Sequence, residues 1–112
     1  MAIKLYKPLL IDSVEAAENI EQNRFIGFDG KYCQEGAKAL GICDVSTEKG
    51  QLAPVGVFGI FLVEAAANIT TGDEIASDIN GKAIKAGRSD SINGYSLDTA
   101  QSGTLIRVVR GI

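Results

Sequence analysis

Two stretches decide the reading of the fold: Gly41-Ile-Cys-Asp-Val-Ser-Thr-Glu-Lys-Gly50-Gln-Leu52 and Gly94-Tyr-Ser-Leu-Asp-Thr-Ala-Gln-Ser-Gly103-Thr-Leu105. They carry the same spacing of glycines and apolar residues, 53 positions apart. Gly41, Gly50, Leu52 and Val55 in the first match Gly94, Gly103, Leu105 and Val108 in the second. Each reads as a strand, a polar turn and a second strand, because turn residues punctuate short β-branched or apolar runs. Repeated hairpins of this kind build a scaffold. Neither copy carries a catalytic constellation.

The flanking segments extend the β pattern. Arg24-Phe-Ile-Gly-Phe28 is a short strand closed by the turn pair Asp29-Gly30. Ala37–Val45, Gln51–Val57, Phe58–Glu64 and Thr104–Arg110 read as further strands, with Gly56 and Gly59 allowing a bend or bulge. Asn80-Gly81, between Glu74–Asp78 and Lys82–Lys85, is the strongest hairpin signal in the chain. Residues 1–11 include Pro8, which disfavours a helix interior and a central strand alike, so they are expected as an extended arm. Asp12–Gln22 has Val14, Ala17 and Ile20 spaced three apart and leaves room for one short helix or an irregular loop. The expectation is an all-β small barrel or sandwich over 12–112, preceded by the arm.

A chain of 112 residues holds one core and not two. It buries about 65% of its unfolded surface, so partners could add to its stability. Its composition, 46% hydrophobic and 22% charged, is that of a globular domain rather than a disordered one. The net charge of −3 argues against direct nucleic-acid binding, which wants a basic face. Charge is uneven: six acidic residues between Asp12 and Glu35 face only Arg24 and Lys31. From Lys82 to the end, five basic residues face only Asp90 and Asp98.

The inventory of chemistry is short. There is no histidine, so the usual general base is missing. Cys33 and Cys43 stand too far apart for a redox Cys-x-x-Cys and read as reduced thiols packed as small apolar residues. Asp73, Glu74 and Asp78 form a carboxylate group, but on a turn and hairpin where acidic residues serve local geometry. No phosphate-binding glycine loop is present, and Asn68-Ile-Thr70 fits a glycosylation sequon without a secretory signal before it. The most apolar run, Val55–Ala67, is too short to span a bilayer, which takes about 20 residues. No enzyme, cofactor, metal or membrane partner is expected, and the host cytosol is the expected place of synthesis. Within that run Phe58, Ile60 and Leu62 alternate with Gly59, Phe61 and Val63, so both faces are apolar. Such a strand lies in a core or gives one face to a subunit contact, and the contact is the expectation for Phe58, Ile60, Phe61 and Leu62.

The order of elements resembles a known family. It is carried by Ile20-x4-Phe25-Ile-Gly-Phe-Asp-Gly30, Ala39-Leu-Gly41-Ile42, Gly50, Val57-x-Gly59 and Ile69-x-x-Gly72-Asp73-x-Ile75. It continues through Asp78-x-Asn80-Gly81-Lys82-Ala83 and Asn93-Gly94-Tyr95-x-Leu97-x4-Ser102-Gly103-x-Leu105-x-Arg107-Val108. This ordered set, running from about Ile20 to Arg110, resembles the cement or decoration proteins of tailed-phage capsids.

The resemblance implies a virion protein that binds the outside of an assembled head and bridges neighbouring major capsid protein subunits. It implies self-association, commonly as a homotrimer and in some members as a dimer. It also implies capsid contact by the arm, Ala2, Ile3, Lys4, Leu5, Tyr6, Lys7, Pro8, Leu9 and Leu10, by addition of a strand. The alternative is a small non-enzymatic β-barrel module binding a ligand or peptide in a concave apolar pocket.

Overall fold

The computed structural model describes residues 7–112. Among them are eight strands: β1 (Lys7–Glu15), β2 (Arg24–Ile26), β3 (Gly41–Cys43), β4 (Leu52–Glu64), β5 (Glu74–Ser77), β6 (Ala83–Lys85), β7 (Gly94–Ser96) and β8 (Leu105–Arg110). All strand pairs are antiparallel, in the order β2-β3-β4-β8-β7-β5-β6, with β1 on β4. The sheet curls until its ends meet: Phe25 N–H donates to Gly81 O at 2.7 Å, between β2 and the β5–β6 turn. The result is the expected all-β, barrel-like domain. No helix forms among the described residues; Asp12–Glu15 finishes β1, and the chain then runs irregularly to a bridge between Ile20 and Thr47.

β4 is one strand of 13 residues where the sequence reads as two. One of its edges carries β1 throughout, from Leu52 to Ile60. The opposite edge carries β3 at Val55 and Gly56, then β8 from Gly59 to Glu64. Gly56 and Gly59 serve the crossing. A Cβ on Gly56 would lie 2.1 Å from the Phe61 ring, and one on Gly59 would lie 2.3 Å from Lys7 O. Gly59 also holds φ at 126°, which a side chain disfavours.

The repeat is structural and larger than the hairpins. Ile42↔Gly56 and Cys43↔Val55 recur as Tyr95↔Val109 and Ser96↔Val108, in the same register. Val14↔Ala53 and Glu15↔Leu52 recur as Val63↔Ile106 and Glu64↔Leu105. Phe25↔Ile42 and Ile26↔Gly41 recur as Glu74↔Tyr95 and Ile75↔Gly94. Turn chemistry repeats too: Asn19 Oδ1 accepts from Lys49 N–H at 2.9 Å, and Asn68 Oδ1 from Ser102 N–H at 3.0 Å. Behind this lies a second sequence match, Val14-Glu-Ala-Ala-Glu-Asn-Ile20 against Val63-Glu-Ala-Ala-Ala-Asn-Ile69. The chain is an internal duplication, and β4 is both the second strand of the first half and the first strand of the second.

The core follows from this arrangement. Phe25, Ile42, Phe61, Val63, Ile69, Ile75, Ile106 and Val108 form one cluster drawn from both halves. Ala16, Ile20, Ile26, Cys43, Ala53 and Val55 form a second, smaller one within the first half. Cys33 and Cys43 are both free and buried, one in each cluster, and burial pushes both thiols up from their ordinary value. At the seam between halves, Glu64 takes an ion pair from Lys82 at 2.9 Å and lies 3.7 Å from Arg24. The hydrogen bond from Lys82 holds the Glu64 carboxyl below its ordinary value, with the charges of Lys82 and Arg24 adding to it.

Gly56→Ala should destabilise the fold by about 1–3 kcal/mol through overpacking against Phe61. An unchanged thermal midpoint would disprove that role for Gly56. The depressed Glu64 carboxyl contributes stability above the unfolded carboxylate value of about 4.3, and loses it as pH falls through the lower folded value. Glu64→Gln should therefore flatten the acid limb of a stability-against-pH curve, while a limb as steep as wild type would assign the acid loss elsewhere.

Candidate contact surfaces

With no histidine and no metal-holding group of carboxylates or thiols among the described residues, function has to be sought on the surface. The carboxylates Asp73 and Asp78 are occupied locally. Asp73 Oδ2 accepts from Thr70 N–H at 2.9 Å, and Asp78 Oδ1 from the N–H groups of Asn80 and Lys82 at 2.9 and 2.8 Å. Glu74 is exposed at the start of β5. Each acid shapes its own turn or edge.

The first surface is β1. Among the described residues it pairs only with β4, leaving its outer edge open, and Lys7–Ser13 are exposed. Pro8 fits there because an edge strand can spare an N–H. Leu9 is 85% exposed, and Leu10 and Ile11 are also exposed. The register slips around Leu9, between Pro8 and Leu10 and again before Ile11, and such irregularity blunts an edge only locally. The duplication shows what is missing: Phe61 and Val63, the second-half counterparts of Asp12 and Val14, are buried. Of the expected arm, Lys7–Leu10 form the start of this strand, while Ala2, Ile3, Lys4, Leu5 and Tyr6 lie outside the described residues.

The second surface is a groove on the opposite edge of β4. β3 leaves that edge at Gly56 and β8 joins it at Gly59, so Val57 and Phe58 face a split in the sheet. Arg110 fills the split. Its Nε donates to Asn93 O at 2.8 Å, Nη1 to Leu40 O at 2.8 Å and Nη2 to Ala39 O at 3.2 Å. Burial pushes its guanidinium down from the ordinary value, and among the described residues its charge meets carbonyl dipoles and no carboxylate. Asn93, itself buried, ties the same loop through Ala39 N–H at 2.9 Å and Ala37 O at 3.0 Å.

Above Arg110 the groove encloses about 460 Å³ and is walled chiefly by apolar side chains. Phe28, Phe58, Ile92 and Ile112 are exposed at its rim, and Lys38 reaches across to donate to Ile92 O at 2.7 Å. No acidic residue lines it.

The residues expected at a subunit contact separate here. Phe58 is 48% exposed on the groove, and Ile60 and Leu62 are half-buried on the same outward face. Phe61 is 2% exposed and points into the chain's own core, so its side chain is unavailable to a partner. Neither Arg110 nor Lys38 stood out in the sequence. The spacing of Arg107 and Arg110 gave no sign that one pairs with Asp98, at 2.9 Å, and the other fills a sheet split.

Comparison with known proteins gives a fold match and a family match. The head fiber gp8.5 N base of bacteriophage phi29 has a similar fold, with a TM-score of 0.76 at 20% sequence identity, covering 89% of this chain and 92% of that one. A sequence model of the phage cement proteins matches residues 7–111. The chain belongs to the phage cement protein family.

Proposed function

We propose that the chain is a capsid cement protein that binds the outside of an assembled phage head and bridges neighbouring major capsid protein subunits. Family membership gives the coarser statement, a capsid-associated structural protein of the virion. The observation that supports bridging is the open strand β1. It presents an unpaired backbone edge and exposed apolar side chains, with the rest of the arm directly before it. An edge of this kind takes up a partner strand through main-chain hydrogen bonds, which tolerate varied side chains.

In this reading the arm, Ala2–Leu10, meets the capsid protein, and the chain self-associates as a homotrimer. Phe58, with Ile60 and Leu62 behind it, serves the contact between copies. Weak contacts repeated by symmetry give avidity without a deep pocket. The protein performs no catalysis, binds no nucleic acid directly and is made in the host cytoplasm before joining the shell. A net charge of −3 suits a surface that must not adhere to DNA. The fold shared with the phi29 head fiber base fits the same setting.

Purified chain mixed with emptied, expanded capsids of its source phage should give ordered density at symmetry positions by cryo-electron microscopy. Bare shells at saturating protein would overturn the cement reading in favour of a ligand- or peptide-binding module. Deleting residues 1–10 should leave the β domain folded by circular dichroism, because Lys7–Leu10 bury no side chain and pair only with β4 at the edge of the sheet. The same deletion should weaken shell attachment by at least about tenfold, and unaltered attachment would remove the arm from the interface.

A further inference from the structure

The β1 strip and the Arg110 groove are complementary to each other, yet they lie on opposite edges of β4. Val55 and Gly56 pair with Asp12 and Ile11 of β1 on one side, and with Cys43 and Ile42 of β3 on the other. The two surfaces therefore cannot meet within one molecule. The strip offers three exposed apolar side chains, Leu9, Leu10 and Ile11, followed by the exposed carboxylate of Asp12. The groove offers apolar walls, the guanidinium of Arg110 at its floor and the ammonium of Lys38 at its rim, with no acid among its lining residues.

We infer that the groove of one copy receives the Leu9–Asp12 segment of β1 from a second copy of this chain. Apolar side chains of the strip fill the space beside Phe58 and Ile92, and Asp12 meets Lys38 and the positive field of Arg110. The choice of occupant rests on charge. A groove with two cations, in a chain of net charge −3, selects an acidic apolar segment, and β1 is such a segment left uncovered. It also rests on the duplication: the second-half counterparts of Asp12 and Val14 are buried, and docking supplies β1 with the cover they have.

Each copy carries one strip and one groove, so a reciprocal pair or a closed ring satisfies every surface. Docking engages side chains of β1. Its backbone edge, together with the arm before it, stays open to the shell. The inference rests on the self-association proposed above and not on the shell contact.

The test is sedimentation equilibrium of the full chain over a concentration series, with Asp12→Lys, Lys38→Glu and the double variant. Both positions of change are exposed, so circular dichroism should show the wild-type fold throughout. Wild type should assemble, each single variant should weaken assembly by about tenfold or more, and the double variant should restore it, since a swapped pair regains opposite charge. A wild-type chain monomeric at every concentration would overturn the inference. So would single variants that assemble like wild type, or a double variant no better than the singles. Shell decoration by the same proteins is read separately: a variant monomer that still decorates capsids isolates the failure to this interface.

Discussion

One strand has to serve two halves of the molecule, and the rest of the architecture accommodates that constraint. β4 completes the first half with its N-terminal portion and begins the second with its C-terminal portion. Its two neighbours on one edge, β3 and β8, come from different halves and leave a gap where they meet. Gly56 makes room there for the Phe61 ring, and Gly59 brings β4 close to β1. Arg110 closes the gap by giving its N–H groups to the carbonyls of Ala39, Leu40 and Asn93, which lie just before β3 and β7. A buried cation is costly without such bonds, and here the cost is borne at the seam of the duplication.

The sequence made much of this legible, and the reasons for the rest are physical. Gly41, Gly50, Leu52 and Val55 match Gly94, Gly103, Leu105 and Val108 because each occupies the same place in a hairpin of fixed register. The earlier half of the repeat, Val14–Ile20 against Val63–Ile69, runs at a different offset. The connection 27–40 in the first copy is four residues shorter than 76–93 in the second, which holds the added strand β6. In isolation Val14, Ala17 and Ile20 mimic a helical period, whereas the structure spends Val14 on β1 and Ile20 on a bridge to Thr47. Phe61 shows a related ambiguity. An apolar run leaves open which of its two faces is inward, and only the pairing of β4 with β8 turns Phe61 in and Phe58 out.

The candidate surfaces were legible to different degrees. Pro8 marked residues 1–11 as an extended arm, and its described part, from Lys7, runs on into the edge strand β1 as far as Glu15. The groove had no local signature, because its lining comes from segments scattered between Phe28 and Ile112. Its charge is likewise a product of folding: Arg107 spends its guanidinium on Asp98, while Arg110 is left with carbonyls.

The placement of β1 also determines where mechanical load enters the domain. Lys7 pairs with Ile60, at the middle of the sheet, and β1 runs from there back along β4 to Leu52. Tension applied at the start of β1 is therefore delivered to the strand that both halves share, instead of to a free corner. To detach β1 along its own axis, the pull must shear its hydrogen bonds together; to distort β4, it must strain both halves at once. A load on β1 is thus shared by both halves of the domain.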